Sequence, residues 1–262
     1  MFDFITFGAD RLQVLLLVII RTSGLFLMAP IFSHNDLPKL IKLGLLLVIA
    51  ILLVAAMPSP QLEVADSAWS LTGLALKELL VGFVIGLVFR LLFLGVHTAG
   101  SIVGYQMGLA MVTQFDANLA AQVSVLGRLW FIVAMLIFLA IDGHHLIINA
   151  LASSYELMPA GYASMPSGLG ELIIKDTAFV FVIALKIAAP LMISLFMTDV
   201  ALGTIAKTMP TMNVFFFGIP IKIGVGLTVM ALSLPMVNYI LRTTLGYFDQ
   251  QVQTILIAMG RA

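Results

Sequence analysis

Residues 40–57 read LIKLGLLLVIAILLVAAM. A single charge, Lys42, stands near the start of an otherwise apolar run. A helix that crosses a bilayer needs about 20 predominantly apolar residues, so this stretch has the composition and nearly the length of a membrane span. Its apolar side chains are continuous. They do not alternate with the period of two that a strand of a membrane barrel requires over its ten or so residues.

Five further apolar stretches flank it: Leu12–Met28, Leu79–Val96, Leu129–Leu151, Ala178–Met197 and Ile219–Leu241. None of them alternates either, and each is interrupted. Arg21-Thr22-Ser23-Gly24 breaks the first, Arg90 sits in the third, and Asp142-Gly143-His144-His145 cuts the fourth. Lys186 and Pro190 fall inside the fifth, Lys222 and Pro235 inside the sixth. Proline in a helix interior frees the carbonyl four residues back. In lipid, a freed backbone group or a charge needs protein or water beside it. Five interrupted stretches therefore point away from a small bundle bathed in lipid and toward broken helices in a larger assembly or around a cavity. The expected fold is all-α: membrane-associated helical hairpins with kinked or broken hydrophobic helices, about six hydrophobic segments, in one domain over residues 1–262.

Composition agrees. Of the 262 residues, 61% are hydrophobic and 10% charged, against about 45–50% and about 25% in ordinary globular chains. Mean hydropathy is +1.14. So few charges cannot cover a water-soluble surface, and a chain this apolar is not disordered. The 13 basic and 13 acidic residues balance, which leaves no electrostatic footprint for nucleic acid. No cysteine is present, hence no disulfide framework and no thiolate chemistry. Asp3 precedes any basic residue, so the first apolar segment is expected to be retained rather than cleaved as a signal.

Ionisable groups within apolar stretches are functional candidates by default. Here they are Arg21, Arg90, Lys186 and Asp199. Lys186 and Asp199 could pair across a kink at Pro190; ion pairs that fix subunit register are the favoured reading for all four. The long, nearly uncharged segment from Val96 to Arg128 holds the other candidates. Gly100, Gly104 and Gly108 fall four apart, as do Gly82 and Gly86, the spacing at which helix backbones approach closely. Glycine also permits kinks and non-helical turns, the basis of a flexible gate. Met107, Met111 and Phe115 follow at four-residue steps beside Gln106, Gln114 and Asn118. Flexible methionine next to neutral amides could seal a passage that must not hold its cargo tightly; the same pattern also suits an ordinary amphipathic helix against a partner. Further on, 209–220 combines Pro210, Pro220, Gly218 and three consecutive phenylalanines, which predicts an interrupted rather than a long straight helix.

No catalytic constellation emerges. The chain lacks a G-x-S-x-G turn, a P-loop, GxGxxG and H-E-x-x-H. Asp142, His144 and His145 could form a metal or proton site, but histidines at a segment break are more often polar filling, and no metal or cofactor is assigned. These residues support no particular class of enzyme.

Five blocks together carry a family resemblance. They are Ile20-Arg21-Thr22-Ser23-Gly24 through Ala29-Pro30-Ile31-Phe32; Lys77-Glu78 with Gly82 and Gly86; Ala99-Gly100 with Gly104-Tyr105-Gln106-Met107-Gly108-Leu109; Asp142-Gly143-His144-His145 with Pro159; and Ala189-Pro190, Asp199, Leu202-Gly203 and Met209-Pro210-Thr211-Met212-Asn213-Val214-Phe215. In this order, over nearly the whole chain, the sequence resembles the flagellar biosynthetic protein FliR family. Asp116-Ala117 departs from the family's Asp-Pro. The resemblance implies a subunit of the export gate of a flagellar type III secretion system in the bacterial inner membrane, at the flagellar basal body. It further implies that the chain is part of a helical hetero-oligomer with FliP-like and FliQ-like companion subunits, and it implies an FlhB-like switch protein, contact with lipid, and unfolded flagellar proteins as cargo. Gly104, Gln106, Met107, Gly108, Met111 and Phe115 would then belong to the plug that closes the channel. The homologous subunit of a virulence injectisome is the nearest alternative; a small secondary transporter using Lys186, Asp199 and the histidines is a more distant one.

Overall fold

A computed structural model describes residues 2–33, 38–57, 68–109, 124–162, 168–209 and 214–261. Among the described residues every regular element is an α-helix. In chain order they are α1 (Phe2–Met28), α2 (Pro30–Ser33), α3 (Lys39–Ala56), α4 (Ala68–Gln106), α5 (Val125–Ala140), α6 (Gly143–Leu157), α7 (Leu169–Thr208) and α8 (Val214–Arg261).

The apolar stretches do not become six straight spans. Among the described residues four helices are long and apolar enough to cross a membrane: α3, α4 from Trp69, α7, and α8 over Phe216–Gly260. The fourth stretch breaks into α5 and α6, bent by 70°, and makes a fifth span only if that pair is counted as one. The first stretch, Leu12–Met28, is the apolar part of α1 and is itself shorter than a span. By contrast α4, α7 and α8 run to 39, 40 and 48 residues. At 1.5 Å per residue, helices of that size extend about 60–70 Å, about twice the thickness of a bilayer's hydrocarbon core.

The prolines do not end their helices. Pro190 lies within α7, Pro220 and Pro235 within α8. Over 209–220 α7 has ended at Thr208, Met209 is outside a helix and residues 210–213 lie outside the described residues, while α8 begins at Val214 and continues through Phe217, Gly218 and Pro220. One proline removes one hydrogen bond; unwinding an apolar helix would strand several more polar groups, so the helix persists. Along α7 the hydroxyls of Ser194, Thr198, Thr204 and Thr208 donate to carbonyls four residues back, at 2.6–2.9 Å. Each finds its acceptor within its own helix, so none obliges the apolar surface to provide a polar partner.

The chain divides into two compact units. The first holds residues 1–91, 142–176 and 245–262. Its buried side chains include Val14, Leu17 and Leu25 of α1, Ile85 and Phe89 of α4, Ile147 and Leu151 of α6, and Phe248 and Leu256 of α8. Here α1 and α4 cross at near-backbone contact. A Cβ built on Gly24 would lie 2.3 Å from the Leu79 carbonyl oxygen, and one on Gly86 would lie 2.8 Å from that of Leu25. At Gly82 the distance to the Arg21 carbonyl oxygen would be 1.8 Å. The paired glycines are thus helix-packing positions, the mode their four-residue spacing allows. Against α1 lies α3, of which only Leu46 and Ala50 are buried; most of its other apolar side chains, Leu40, Val48 and Leu52 among them, are exposed on this chain.

The second unit holds residues 92–141 and 177–244. The ring centre of Phe93 lies 5.5 Å from that of Phe131, tilted, and 5.3 Å from that of Phe138, edge-on, which joins α4 to α5. Gly100 and Gly127 seal the same crossing: a Cβ on Gly100 would meet the Leu126 carbonyl oxygen at 2.6 Å, and one on Gly127 the His97 carbonyl oxygen at 3.0 Å. Trp130, Ile183, Ile187, Leu195 and Val237 complete the core. Outward, α7 and α8 present Phe181, Leu185, Ile193, Phe196, Phe216, Leu232 and Tyr239.

Candidate functional site

Two places gather the residues singled out by sequence. The first is the C-terminal end of α4, in the second unit. The helix ends because Gly108 adopts φ +82°, a left-handed conformation that glycine takes without a Cβ penalty. The Met107 N–H still bonds the Val103 carbonyl at 2.9 Å, and the Gly108 N–H bonds that of Tyr105 at 3.1 Å. Gly104 therefore lies on the helix while Gly108 stops it, so the predicted row of glycines loses its third member. Gly104 is also less confined than Gly100, its nearest neighbour being Ser124 Oγ at 3.4 Å from a built Cβ. That serine caps α5, its hydroxyl accepting from the Gly127 N–H at 3.0 Å.

Met107 is buried and lies over Gly226 of α8, where a Cβ would fall 2.6 Å from its Cε and 2.7 Å from its Sδ. A glycine facing a flexible thioether makes a seat in which methionine can repack. Gln106 donates from Nε2 to the Met192 carbonyl at 3.2 Å, while its Oε1 is enclosed without a hydrogen-bond partner. An orphaned buried acceptor costs about 1–3 kcal/mol. Met111 and Phe115 lie outside the described residues.

The second place is a buried polar cluster in the first unit. Arg21 and Glu78 are both wholly buried and form a bidentate ion pair, the guanidinium donating from Nε to Oε2 and from Nη2 to Oε1 at 3.0 Å. Arg21 also donates to Ser154 Oγ at 2.9 Å and to the Met158 carbonyl at 3.2 Å, and its Cζ lies 4.0 Å from the centre of the Tyr155 ring. Glu78 Oε1 in turn accepts from the Gly161 N–H at 2.8 Å. The turn that presents this N–H passes through Gly161 at φ +93°. One charge pair thereby ties α1, α4, α6 and the turn after α6. Sequence reading found Arg21 but missed Ser154 and Tyr155, which lie more than 130 residues away; Glu78 entered only through the family blocks.

The other charged candidates sit differently. Arg90 is exposed, with Nη1 3.3 Å from Met28 Sδ. Lys186 is exposed on α7. Asp199 is partly exposed and pairs with Lys222 of α8, not with Lys186. The expected Lys186–Asp199 pair does not form because α7 continues through Pro190, and 13 residues of helix separate the two by about 20 Å. At the bend between α5 and α6, Asp142, His144 and His145 each offer a ligand atom within 4.8 Å of the others. Asp142 is left-handed at φ 57° and does not cap α6; its carboxylate instead lies 3.6 Å from His145 Nδ1, both groups being well exposed to solvent.

The signature of the family described as bacterial export proteins, family 1, matches residues 12–247. The chain is 29% identical to the flagellar biosynthetic protein FliR of Bacillus subtilis (strain 168) over 254 residues, covering 96% of this chain and 97% of the relative. It is 30% identical to FliR of Escherichia coli (strain K12) over 221 residues, 84% and 83% of the two chains. Against FliR of Aquifex aeolicus (strain VF5) the identity is 29% over 229 residues, 87% and 88% of the two. With an all-helical fold, spans of membrane length and a match over nearly its whole length, the chain belongs to the bacterial export proteins, family 1.

Proposed function

We infer that this chain is a subunit of the flagellar type III protein export gate in the bacterial inner membrane. The observation that carries this is the family match across residues 12–247, with FliR relatives aligned over 83–97% of their own lengths. Those relatives bear flagellar names, which favours the flagellar system over an injectisome. In this reading residues 1–262 work as one gate subunit, which shapes a passage for unfolded flagellar proteins rather than catalysing a reaction. It assembles with FliP-like and FliQ-like subunits and meets an FlhB-like switch protein. The bare apolar faces of α3, α7 and α8 support such partners, because surfaces this apolar are covered by lipid or by protein.

Expressed alone, the chain is expected to aggregate or be degraded; expressed with FliP-like and FliQ-like subunits it should purify as one particle. Mass determination after co-purification is the measurement, and a stable, monodisperse monomer in mild detergent would overturn the reading.

The seal is proposed at the end of α4 and beyond: Gly104, Gln106, Met107, Gly108, Met111 and Phe115. Bulky apolar side chains close a pore by excluding water, and methionine repacks around varied cargo. Replacing Met107, Met111 and Phe115 together with alanine should leave assembly intact and raise the ion conductance of the reconstituted complex. Gly108→Val should lower export, since a β-branched residue resists φ near +82°. A triple variant as tight as the parent would place the seal on a companion subunit.

A further inference from the structure

Gly24, Gly82 and Gly100 make room for backbones: a Cβ built on any of them would strike main-chain atoms of the neighbouring helix. Gly226 of α8 is different. The three atoms nearest to a Cβ built there are Cε, Sδ and Cγ of Met107, at 2.6, 2.7 and 3.2 Å. An interior glycine weakens a helix relative to alanine; here it leaves a notch that one methionine side chain fills. Gly224, two residues earlier, has open space around it, so the notch is confined to one face of α8.

Met107 is buried, being 1% exposed. It follows the last residue of α4 and precedes Gly108, whose φ of +82° ends the helix. Beside it, Gln106 is held to the Met192 carbonyl of α7 at 3.2 Å. Met107 therefore stands between an anchored helix end and the segment that leads to Met111 and Phe115. Its unbranched, flexible thioether can turn out of a notch without unwinding the helix that presents it.

We propose that Gly226 is a positioning residue of the gate: its notch seats Met107 while the gate is closed, and Met107 leaves the notch when the gate opens. The assignment rests on the export-gate reading and adds to it the residue that holds the seal and the contact that must break. A methyl group at position 226 would meet the far end of a flexible side chain, not a backbone. Relief then comes from turning Met107 out rather than from parting α4 and α8.

The test uses the full chain with its FliP-like and FliQ-like subunits. The Cβ built on Gly226 lies 3.2 Å from Met107 Cγ, which brings the two Cβ positions close to the about 3.5–4.5 Å that a disulfide spans. Met107→Cys with Gly226→Cys introduces the only cysteines of this chain. In cells that carry this variant in place of the parent, a mild oxidant should link the pair and lower secretion of flagellar subunits several-fold, and a reductant should restore it. Each single-cysteine chain should secrete equally with oxidant and with reductant. Gly226→Ala should yield as much complex as the parent, with a several-fold higher ion conductance after reconstitution. A pair that stays unlinked, or that links without lowering secretion, would overturn the latch. So would a Gly226→Ala complex as tight as the parent, or a Gly226→Ala chain that fails to assemble, because the glycine would then be spacing helices rather than seating a side chain. A parent chain that recovers neither companion subunit would overturn the gate reading as well.

Discussion

Replacing Arg21 with alanine is expected to abolish most of the assembled complex. The substitution leaves the Glu78 carboxylate enclosed, still accepting from the Gly161 N–H but without its counter-charge. Breaking a buried pair in this way costs about 3–5 kcal/mol, a large part of the roughly 5–15 kcal/mol that holds a typical domain together. Glu78→Ala should do the same by stranding the guanidinium. Arg21→Lys should not rescue, because a single ammonium cannot span Glu78, Ser154 and the Met158 carbonyl as the planar fork does. The double variant Arg21→Met with Glu78→Met removes both charges and should recover part of the yield. The readouts are the amount of complex purified with its companions and its thermal midpoint in detergent. An Arg21→Ala chain that assembles as well as the parent would show that the cluster does not hold the first unit together.

Gly82→Ala should be nearly as damaging, although it adds one methyl group. That methyl would sit 1.8 Å from the Arg21 carbonyl oxygen and 2.8 Å from its carbonyl carbon. Both are backbone atoms, so relief requires α1 to move away from α4 rather than a side chain to turn. Overpacking of this kind costs about 1–3 kcal/mol. The same displacement pulls Arg21 from Glu78, so the two effects compound. Gly44→Ala is the internal control. It lies in α3 with open space around it, and alanine there should add about 0.5–1 kcal/mol of helix stability. Thermal midpoints of the two assembled variants should move in opposite directions; equal midpoints would refute the close crossing.

Much of the fold could be read in the sequence because the bilayer imposes a one-dimensional rule. Backbone groups in hydrocarbon must pair within their own segment, so continuous apolar stretches such as Leu40–Met57 mean helix. The break at Asp142 was visible for the same reason: a carboxylate and two histidines interrupt an apolar run. The glycine spacing at Gly82 and Gly86 announced close packing, since only small residues let backbones meet. Proline was the misleading signal. Pro190, Pro220 and Pro235 lie within continuous helices, and their local cost is outweighed by the polar groups that unwinding would expose.

The site was legible by residue type and illegible by partnership. Arg21 and Lys186 looked alike as cations in apolar stretches, yet one is enclosed with a carboxylate 57 residues away and the other is bare on its helix. Gly104 and Gly108 looked alike as members of one row, yet one lies on the helix and the other ends it. Composition and hydrophobic continuity determined the all-α membrane class, because they depend on what each segment must do with its own backbone; the family was carried by the ordered motif blocks. Only the tertiary structure decided which glycines touch, that Asp199 takes Lys222, and that Ser154, Tyr155 and Gly161 close around Arg21 and Glu78. Those choices depend on distances between segments far apart in the chain, which local pattern does not encode.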